Sequence, residues 1–253
     1  MTKTAIITGA TSGFGQACAR KFAHDGYKLV IVGRRKERLE ALQSELSQIT
    51  DVHYLVMDVR ERQTVFDGFY ELPEAFNKPD VLINNAGLAL GLEPAHQANL
   101  DDWETMLDTN CKGLMYCTRA LLPGMVERKC GHIINVGSMA GNWPYPGGNC
   151  YGASKAFVQQ FSRNLRSDVH GSGVKITNIE PGFAKTEFSL VRFKGDESRA
   201  DTLYQDAEHL KPDDIADIIL WTANTPAHVN VNTLEVMPTN QSWSPLAIHK
   251  NDN

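Results

Sequence analysis

Thr8-Gly9-Ala10-Thr11-Ser12-Gly13-Phe14-Gly15 follows the apolar run Ala5-Ile6-Ile7 and opens an amphipathic stretch near residues 13–25. Strand, tight turn, then helix is the geometry that binds a pyrophosphate. Glycines let backbone come close, and the helix N-terminus offers free N–H groups and a positive dipole end. A glycine-rich turn alone could equally be a plain structural turn. Its position at the first strand–helix junction favours the phosphate loop.

Working outward, six more short apolar runs read as strands: Leu29–Val32, Tyr54–Met57, Val81–Ile83, Ile133–Val136, Val174–Ile179 and Leu234–Val236. Their near-continuous apolar character suits strands covered on both faces. Helical patterns fill the gaps, near 13–25, 35–47, 61–71, 101–128, 151–170 and 212–223. Pro123 and Gly124 weaken the end of the 101–128 pattern. Strand–helix repetition predicts an α/β chain with a doubly wound parallel sheet and right-handed crossovers. The stretch 183–210 is polar, charged and the least regular. A connection that long is uncommon unless it is a lid or disordered. No linker or repeat divides the chain, so 1–253 reads as one domain with 183–210 as a substrate lid.

The 253 residues suffice to bury roughly 70–75% of the unfolded chain's surface without staples. A net charge of −5 argues against a nucleic-acid surface, which needs a basic excess. The five cysteines are odd in number and form no Cys-x-x-Cys pair, as in a reduced, cytoplasmic chain. Met1-Thr2-Lys3-Thr4 runs directly into a strand pattern, which predicts no signal peptide. No run approaches the ~18 apolar residues that span a bilayer. The histidines show no metal-ligand spacing, so no metal is expected.

The second strand ends at Val32-Gly33-Arg34-Arg35. NAD-preferring sites usually carry an acid here for the ribose 2′-hydroxyl. Arg34 and Arg35 instead suit the 2′-phosphate of NADP, because guanidinium binds phosphate with paired hydrogen bonds. The alternative is a solvated helix start, since Lys36, Glu37 and Arg38 follow.

Tyr151-Gly152-Ala153-Ser154-Lys155 places Tyr151 and Lys155 on one helix face. A neighbouring ammonium favours the phenolate and lowers the phenol pKa, giving an acid/base nearer working pH. Such a pair arises in many helices by chance. Ser138 lies just past the fifth strand, at the carboxyl end where open α/β sheets put their sites, and could hold a substrate oxygen. Asn110 sits inside the long helical pattern, where asparagine is a mediocre residue. Facing a cleft it could hold a water or break the helix. Facing solvent it would mean nothing.

Together these features resemble the short-chain dehydrogenase/reductase family. The Thr8–Gly15 loop, Asp58-Val59, Asn84-Asn85-Ala86-Gly87, Asn110, Ser138, Tyr151 with Lys155, and Pro181-Gly182 carry the resemblance, in the family's order. It implies a single-domain Rossmann-like fold with a seven-stranded parallel sheet. It implies that Tyr151 is the acid/base, that Lys155 lowers its pKa and holds the nicotinamide ribose, and that Ser138 orients the carbonyl. Asn110 would anchor a relay water. NADP would be bound by Gly9, Thr11, Ser12, Gly13, Phe14, Gly15, Arg34, Arg35, Asp58, Val59, Asn85, Ala86, Gly87, Tyr151, Lys155, Pro181, Gly182 and Thr186. Family members pair such long helices between subunits, which implies a homotetramer or dimer.

The stretches Gly87–His96, Gly141–Tyr145, Thr186–Asp196 and Asn232–Thr239 are similar to the NADP-dependent 3-hydroxy acid dehydrogenases. That group includes the serine and allo-threonine dehydrogenases and reduces malonic semialdehyde. Lys185-Thr186 stands where related members are one residue longer. A 3-hydroxy acid presents a carboxylate near the reacting alcohol, and a cation should meet it. Arg192 and Lys194 are the candidates, with a solvated charge cluster as the equal alternative. Trp143, together with Tyr145, could line a substrate pocket and would also serve a larger apolar ketone or acyl thioester. A non-catalytic NADP sensor is the third reading, disfavoured by the complete Ser138/Tyr151/Lys155 set.

Overall fold

The computed structural model describes residues 2–202, 204–205 and 207–243. Residues 1 and 244–253 of the expected domain, and Leu203 and Asp206 of the expected lid, lie outside the described residues. Seven strands form one parallel sheet: β1 (Thr4–Thr8), β2 (Lys28–Gly33), β3 (Val52–Val56), β4 (Val81–Asn84), β5 (Gly131–Val136), β6 (Val174–Pro181) and β7 (Thr233–Val236), ordered β3-β2-β1-β4-β5-β6-β7. The order reverses beside β1, whose neighbours are β2 and β4. A crevice opens at such a switch point, at the carboxyl ends of the strands.

The continuous apolar runs are explained by two cores, one per sheet face. Ala5, Ile7, Leu29 and Ile31 pack with Phe22, Leu39 and Leu42 of α1 (Gly13–His24) and α2 (Lys36–Leu46), and with Ile215 and Ile219 of α9 (Pro212–Ala223). The alternate residues Ile6, Val30 and Val32 face Val65 and Phe69 of α3 (Arg62–Tyr70). On that face also lie Cys117 and Leu121 of α5 (Leu114–Glu127) and Leu165 of α6 (Asn149–Asp168). Period-2 alternation thus sends neighbouring residues into different cores. Each fully buried aliphatic side chain contributes about 1.5–3 kcal/mol.

Two expectations need correction. The 101–128 pattern is not one helix. It comprises α4 (Leu100–Leu107), a π-helical turn over Asp108–Gly113, and α5. Pro123 does not end α5, which runs on to Glu127. Its ring sits on the exposed face, while Leu121 and Met125 anchor the turn on the buried one. The interruption comes earlier, where Asn110 turns its side chain inward.

The second is 183–210, the least regular stretch, which nonetheless carries secondary structure among its described residues. It contains α7 (Phe188–Arg192) and α8 (Glu197–Thr202), and a parallel bridge between Ala184 and Leu210 pins its two ends. The Tyr204 hydroxyl bonds Ser189 and donates to the Ala184 carbonyl. Helices this short carry too few turns for periodicity to register. No helix among the described residues is long and apolar enough to cross a membrane.

Candidate active site

The cleft at the switch point has a volume of about 310 Å³. It runs from Arg34, Arg35 and Asp58 at one end, past the glycine turn, to Ser138, Tyr151 and Phe188 at the other. The turn demands its glycines. Gly9 has φ +68°, and a Cβ there would lie 2.9 Å from Asn85 Nδ2. On Gly15 a Cβ would run into the Gly9 carbonyl. Asn85 closes the turn from below, its Nδ2 donating to the Thr8 carbonyl at 2.9 Å and the Gly9 carbonyl at 3.2 Å. A backbone stripped of side chains at a helix start fits a pyrophosphate.

At the β2 end, Arg35 donates to Thr11 Oγ1 and Ser12 Oγ, each at 2.8 Å through Nη2. Its Nη1 reaches Glu187 Oε2 at 2.9 Å, and Arg38 Nη1 reaches Glu187 Oε1 at 2.7 Å. Two guanidinium groups thus already hold an anion at this position, which fits a bound phosphate. Arg34 stands 3.9 Å from Asp58, whose carboxylate is gripped by Arg60 at 2.6 Å.

At the other end, β5 delivers Ser138 and α6 delivers Tyr151 and Lys155. The Ser138 hydroxyl accepts from the Ala140 N–H at 3.1 Å, which fixes its direction. Lys155 is buried and donates through Nζ to the Val136 carbonyl at 2.8 Å. Burial carries its pKa down to about 8, against a smaller upward pull from Cys111. Burial pushes the Tyr151 phenol up to about 12; the Ser138 hydrogen bond and the Arg192 guanidinium pull it down, and Tyr145 adds to the rise. Here the structure departs from the expectation that Lys155 tunes the phenol. Its ammonium is 5.8 Å from the Tyr151 ring centre and is turned to a backbone carbonyl. The cation nearest the ring is Arg192, at 5.2 Å.

Asn110 is buried. Its Oδ1 accepts from the Leu88 N–H at 2.9 Å, and its Nδ2 donates to the Leu88 carbonyl at 2.8 Å and Ser154 Oγ at 3.0 Å. The residue therefore clamps the chain just beyond β4 to α6, and the π turn is the local cost of bringing it inward.

A model of the short chain dehydrogenases matches residues 3–196. The chain belongs to that family. The NADP-dependent 3-hydroxy acid dehydrogenase YdfG of Salmonella typhi is 56% identical over 246 residues, covering 97% of this chain and 98% of the relative. Sulfoacetaldehyde reductase 2 of Chromohalobacter salexigens is 54% identical over 99% of this chain and 100% of its own. The closed form of serine dehydrogenase complexed with NADP+ superposes with a TM-score of 0.93 at 53% identity, over 98% of this chain and 100% of that one.

In this short-chain dehydrogenase the cleft wall includes Gly9, Thr11, Ser12, Gly13, Phe14, Arg34, Arg35, Asp58, Val59, Asn85, Ala86, Gly87, Ser138, Tyr151, Lys155, Pro181, Gly182 and Thr186. Gly15 lies one position behind the turn, and Asn110 behind Gly87. Of the substrate candidates, Arg192, Lys194 and Trp143 all stand outside the cleft wall; Arg192 lies over Tyr151, while Lys194 and Trp143 turn away. Lys194 pairs with Asp102 at 2.8 Å. Trp143 donates from Nε1 to Glu235 at 3.1 Å and is outside the cleft wall. Each finds a carboxylate nearer than the cleft.

Arg38, Glu187, Phe188 and Val191 are also at the site and were not anticipated. Arg38 had a signal, one helical turn after Arg35. Glu187 had none, since its partners are 149 and 152 residues away in sequence.

Proposed function

We propose that this protein is an NADP-dependent dehydrogenase of small 3-hydroxy acids, with Tyr151 as general acid/base. The observation that carries the reading is a single cleft with an arginine-held anion position at one end and Tyr151 under an arginine at the other. The relatives' names point the same way: 3-hydroxy acid and serine dehydrogenases, and a sulfoacetaldehyde reductase. In each substrate so named the reacting oxygen stands three bonds from the carbon or sulfur of an anionic group.

NADP(H), when bound, supplies or accepts the hydride. The glycine turn would hold its pyrophosphate, and Arg34, Arg35, Arg38 and Ser12 the 2′-phosphate. Asp58 and Val59 would border the adenine. Asn85, Ala86, Gly87, Pro181, Gly182 and Thr186 would border the remainder, and Lys155 would hold the nicotinamide ribose. At the reacting carbon, Ser138 donates a hydrogen bond to the carbonyl oxygen. Tyr151 delivers the proton to that oxygen in reduction and removes it in oxidation. The Arg192 Nε–H is buried without a partner among the described residues, and so is a donor for a substrate carboxylate. A sulfonate would meet the same group.

A single domain over 1–253, with 183–210 as a lid over the substrate end, belongs to the proposal; Phe188 and Val191 of that segment line the cleft. So does a cytoplasmic location, supported by free Cys18, Cys111, Cys117, Cys130 and Cys150. A homotetramer, or a dimer, is supported by exposed Leu100 and Leu107 on α4 and the stacked Phe157/Phe161 pair on α6. Light scattering on a sizing column reads the assembly. The activity is tested by NADP+ reduction with serine, the threonine stereoisomers, 3-hydroxypropionate, 3-hydroxyisobutyrate and 2-hydroxyethanesulfonate. Turnover of uncharged secondary alcohols in preference to all of these would overturn it.

A further inference from the structure

The Glu187 carboxylate bridges two of the three arginines that the proposed function gives to the 2′-phosphate. One oxygen meets Arg35 and the other Arg38, at 2.9 and 2.7 Å. Arg35 keeps its remaining donors on Thr11 and Ser12 of the phosphate loop. Against the upward push of partial burial, the hydrogen bonds and charges of Arg35 and Arg38 hold the Glu187 carboxyl below the usual carboxylate range, so it is charged at neutral pH. Glu187 comes from the turn entering α7, far from the β2–α2 junction in sequence. Among the described residues, Arg35 and Arg38 have no other acidic partner within ion-pair distance.

A carboxylate and a phosphate dianion compete for the same forked donors. Brought together at one arginine pair, the two anions would repel. The 2′-phosphate can take both guanidinium groups only when Glu187 swings out.

We propose that Glu187 tempers cofactor selectivity: it is an internal anion that occupies the 2′-phosphate position on Arg35 and Arg38 and must leave it for NADP(H) to bind. It sets the affinity for 2′-phosphorylated ligands without touching the nicotinamide. It also balances the arginines when a dinucleotide without the 2′-phosphate is present, so that such a ligand gains nothing by exposing them. The inference rests on the NADP reading, and it concerns a residue that sequence inspection does not connect to the cofactor.

The test is calorimetric titration with two fragments, 2′,5′-ADP and 5′-ADP, on the wild type and on E187Q and E187A. The fragments lack the nicotinamide and report only on the adenosine end. The two ion pairs are about half exposed, so removing the competitor should tighten 2′,5′-ADP binding about three- to ten-fold. Binding of 5′-ADP should stay the same in both variants. Agreement between Gln and Ala assigns the gain to the lost charge rather than to new contacts. If 2′,5′-ADP binds the variants no more tightly, or more weakly, Glu187 supports the phosphate site rather than competing for it, and the proposal fails. If the wild type binds 2′,5′-ADP no better than 5′-ADP, it is the NADP reading itself that fails.

Discussion

The guanidinium of Arg192 lies 5.2 Å from the centre of the Tyr151 ring, is 5.3 Å from that of Phe188, and donates to the Tyr145 hydroxyl at 2.7 Å. Three aromatic rings thus hold one cation above the proposed acid/base. Cation–π contacts of this kind contribute about 0.5–2 kcal/mol each. They orient the guanidinium without neutralising it, which leaves its charge available to a substrate anion.

Replacement of Arg192 by glutamine should therefore separate substrates by charge. For a 3-hydroxy acid the loss of a charge-assisted hydrogen bond, about 1.5–3 kcal/mol, should raise KM roughly ten- to hundred-fold. An uncharged alcohol of the same size should lose much less. Steady-state kinetics with the two substrates checks this. Equal losses would move Arg192 from substrate binding to the support of Tyr151 alone.

Tyr151→Phe should lower kcat about 10²–10⁴-fold, the range for a positioned proton donor, while NADPH titrates with little change in Kd. The direction of the phenol shift adds a pH signature. Burial raises the Tyr151 pKa. Oxidation needs the phenolate, so its kcat/KM should climb with pH through and above neutrality. Reduction uses the protonated phenol, which is fully populated over that range, and should show no such climb. A rise of equal slope in both directions would contradict the assignment.

Arg35→Ala and Arg38→Ala should each weaken NADPH binding about ten-fold or more, with a much smaller effect on NADH, because only the 2′-phosphate loses its forked donors. Fluorescence titration with both nucleotides gives the comparison. Arg38 is the sharper case, since it stands a helical turn beyond the residues that end β2.

His132 on β5 should make the fold sensitive to acid. It is buried, its Nε2 lies 2.8 Å from Thr177 Oγ1, and Thr177 in turn donates to the Val231 carbonyl. The ring nitrogen facing Thr177 therefore carries the proton in the neutral form. Burial, reinforced by Lys175 and Lys3, drives its pKa down to about 3. The folded value is depressed below the unfolded one, so the unfolded chain takes up the proton first. This contribution is complete above pH 6.5 and is lost as pH falls toward 3. Between pH 7 and pH 5 it amounts to about 2 kcal/mol. Urea unfolding of the wild type and His132→Leu at the two pH values should show a smaller decline in the variant.

Asn110→Ala should destabilise the protein by about 2–4 kcal/mol, because it strips both backbone groups of Leu88 of their partners in a buried setting. The urea midpoint should fall, and part of the loss in activity should follow from the displaced chain beside Gly87 and Lys155.

Local pattern carried most of the architecture. Short continuous apolar runs placed all seven strands within a few residues, and period-3.6 apolar spacing placed the longer helices other than the interrupted 101–128 pattern, because those segments bury surface in proportion to their pattern. Ser138, Tyr151, Lys155 and the glycine turn were legible because their chemistry is read over short spans of chain. What needed the folded chain was every relation between distant segments. Asn110 became a clamp, and the long helix acquired a π turn, only when Leu88 came within hydrogen-bond reach. Lys194 and Trp143 left the site because Asp102 and Glu235 offered nearer partners. Glu187 came to rest on Arg35 and Arg38 across some 150 residues of chain. Such pairings depend on distances of a few ångströms in three dimensions, and charge and hydrogen bonding respond to those distances whatever the separation along the chain.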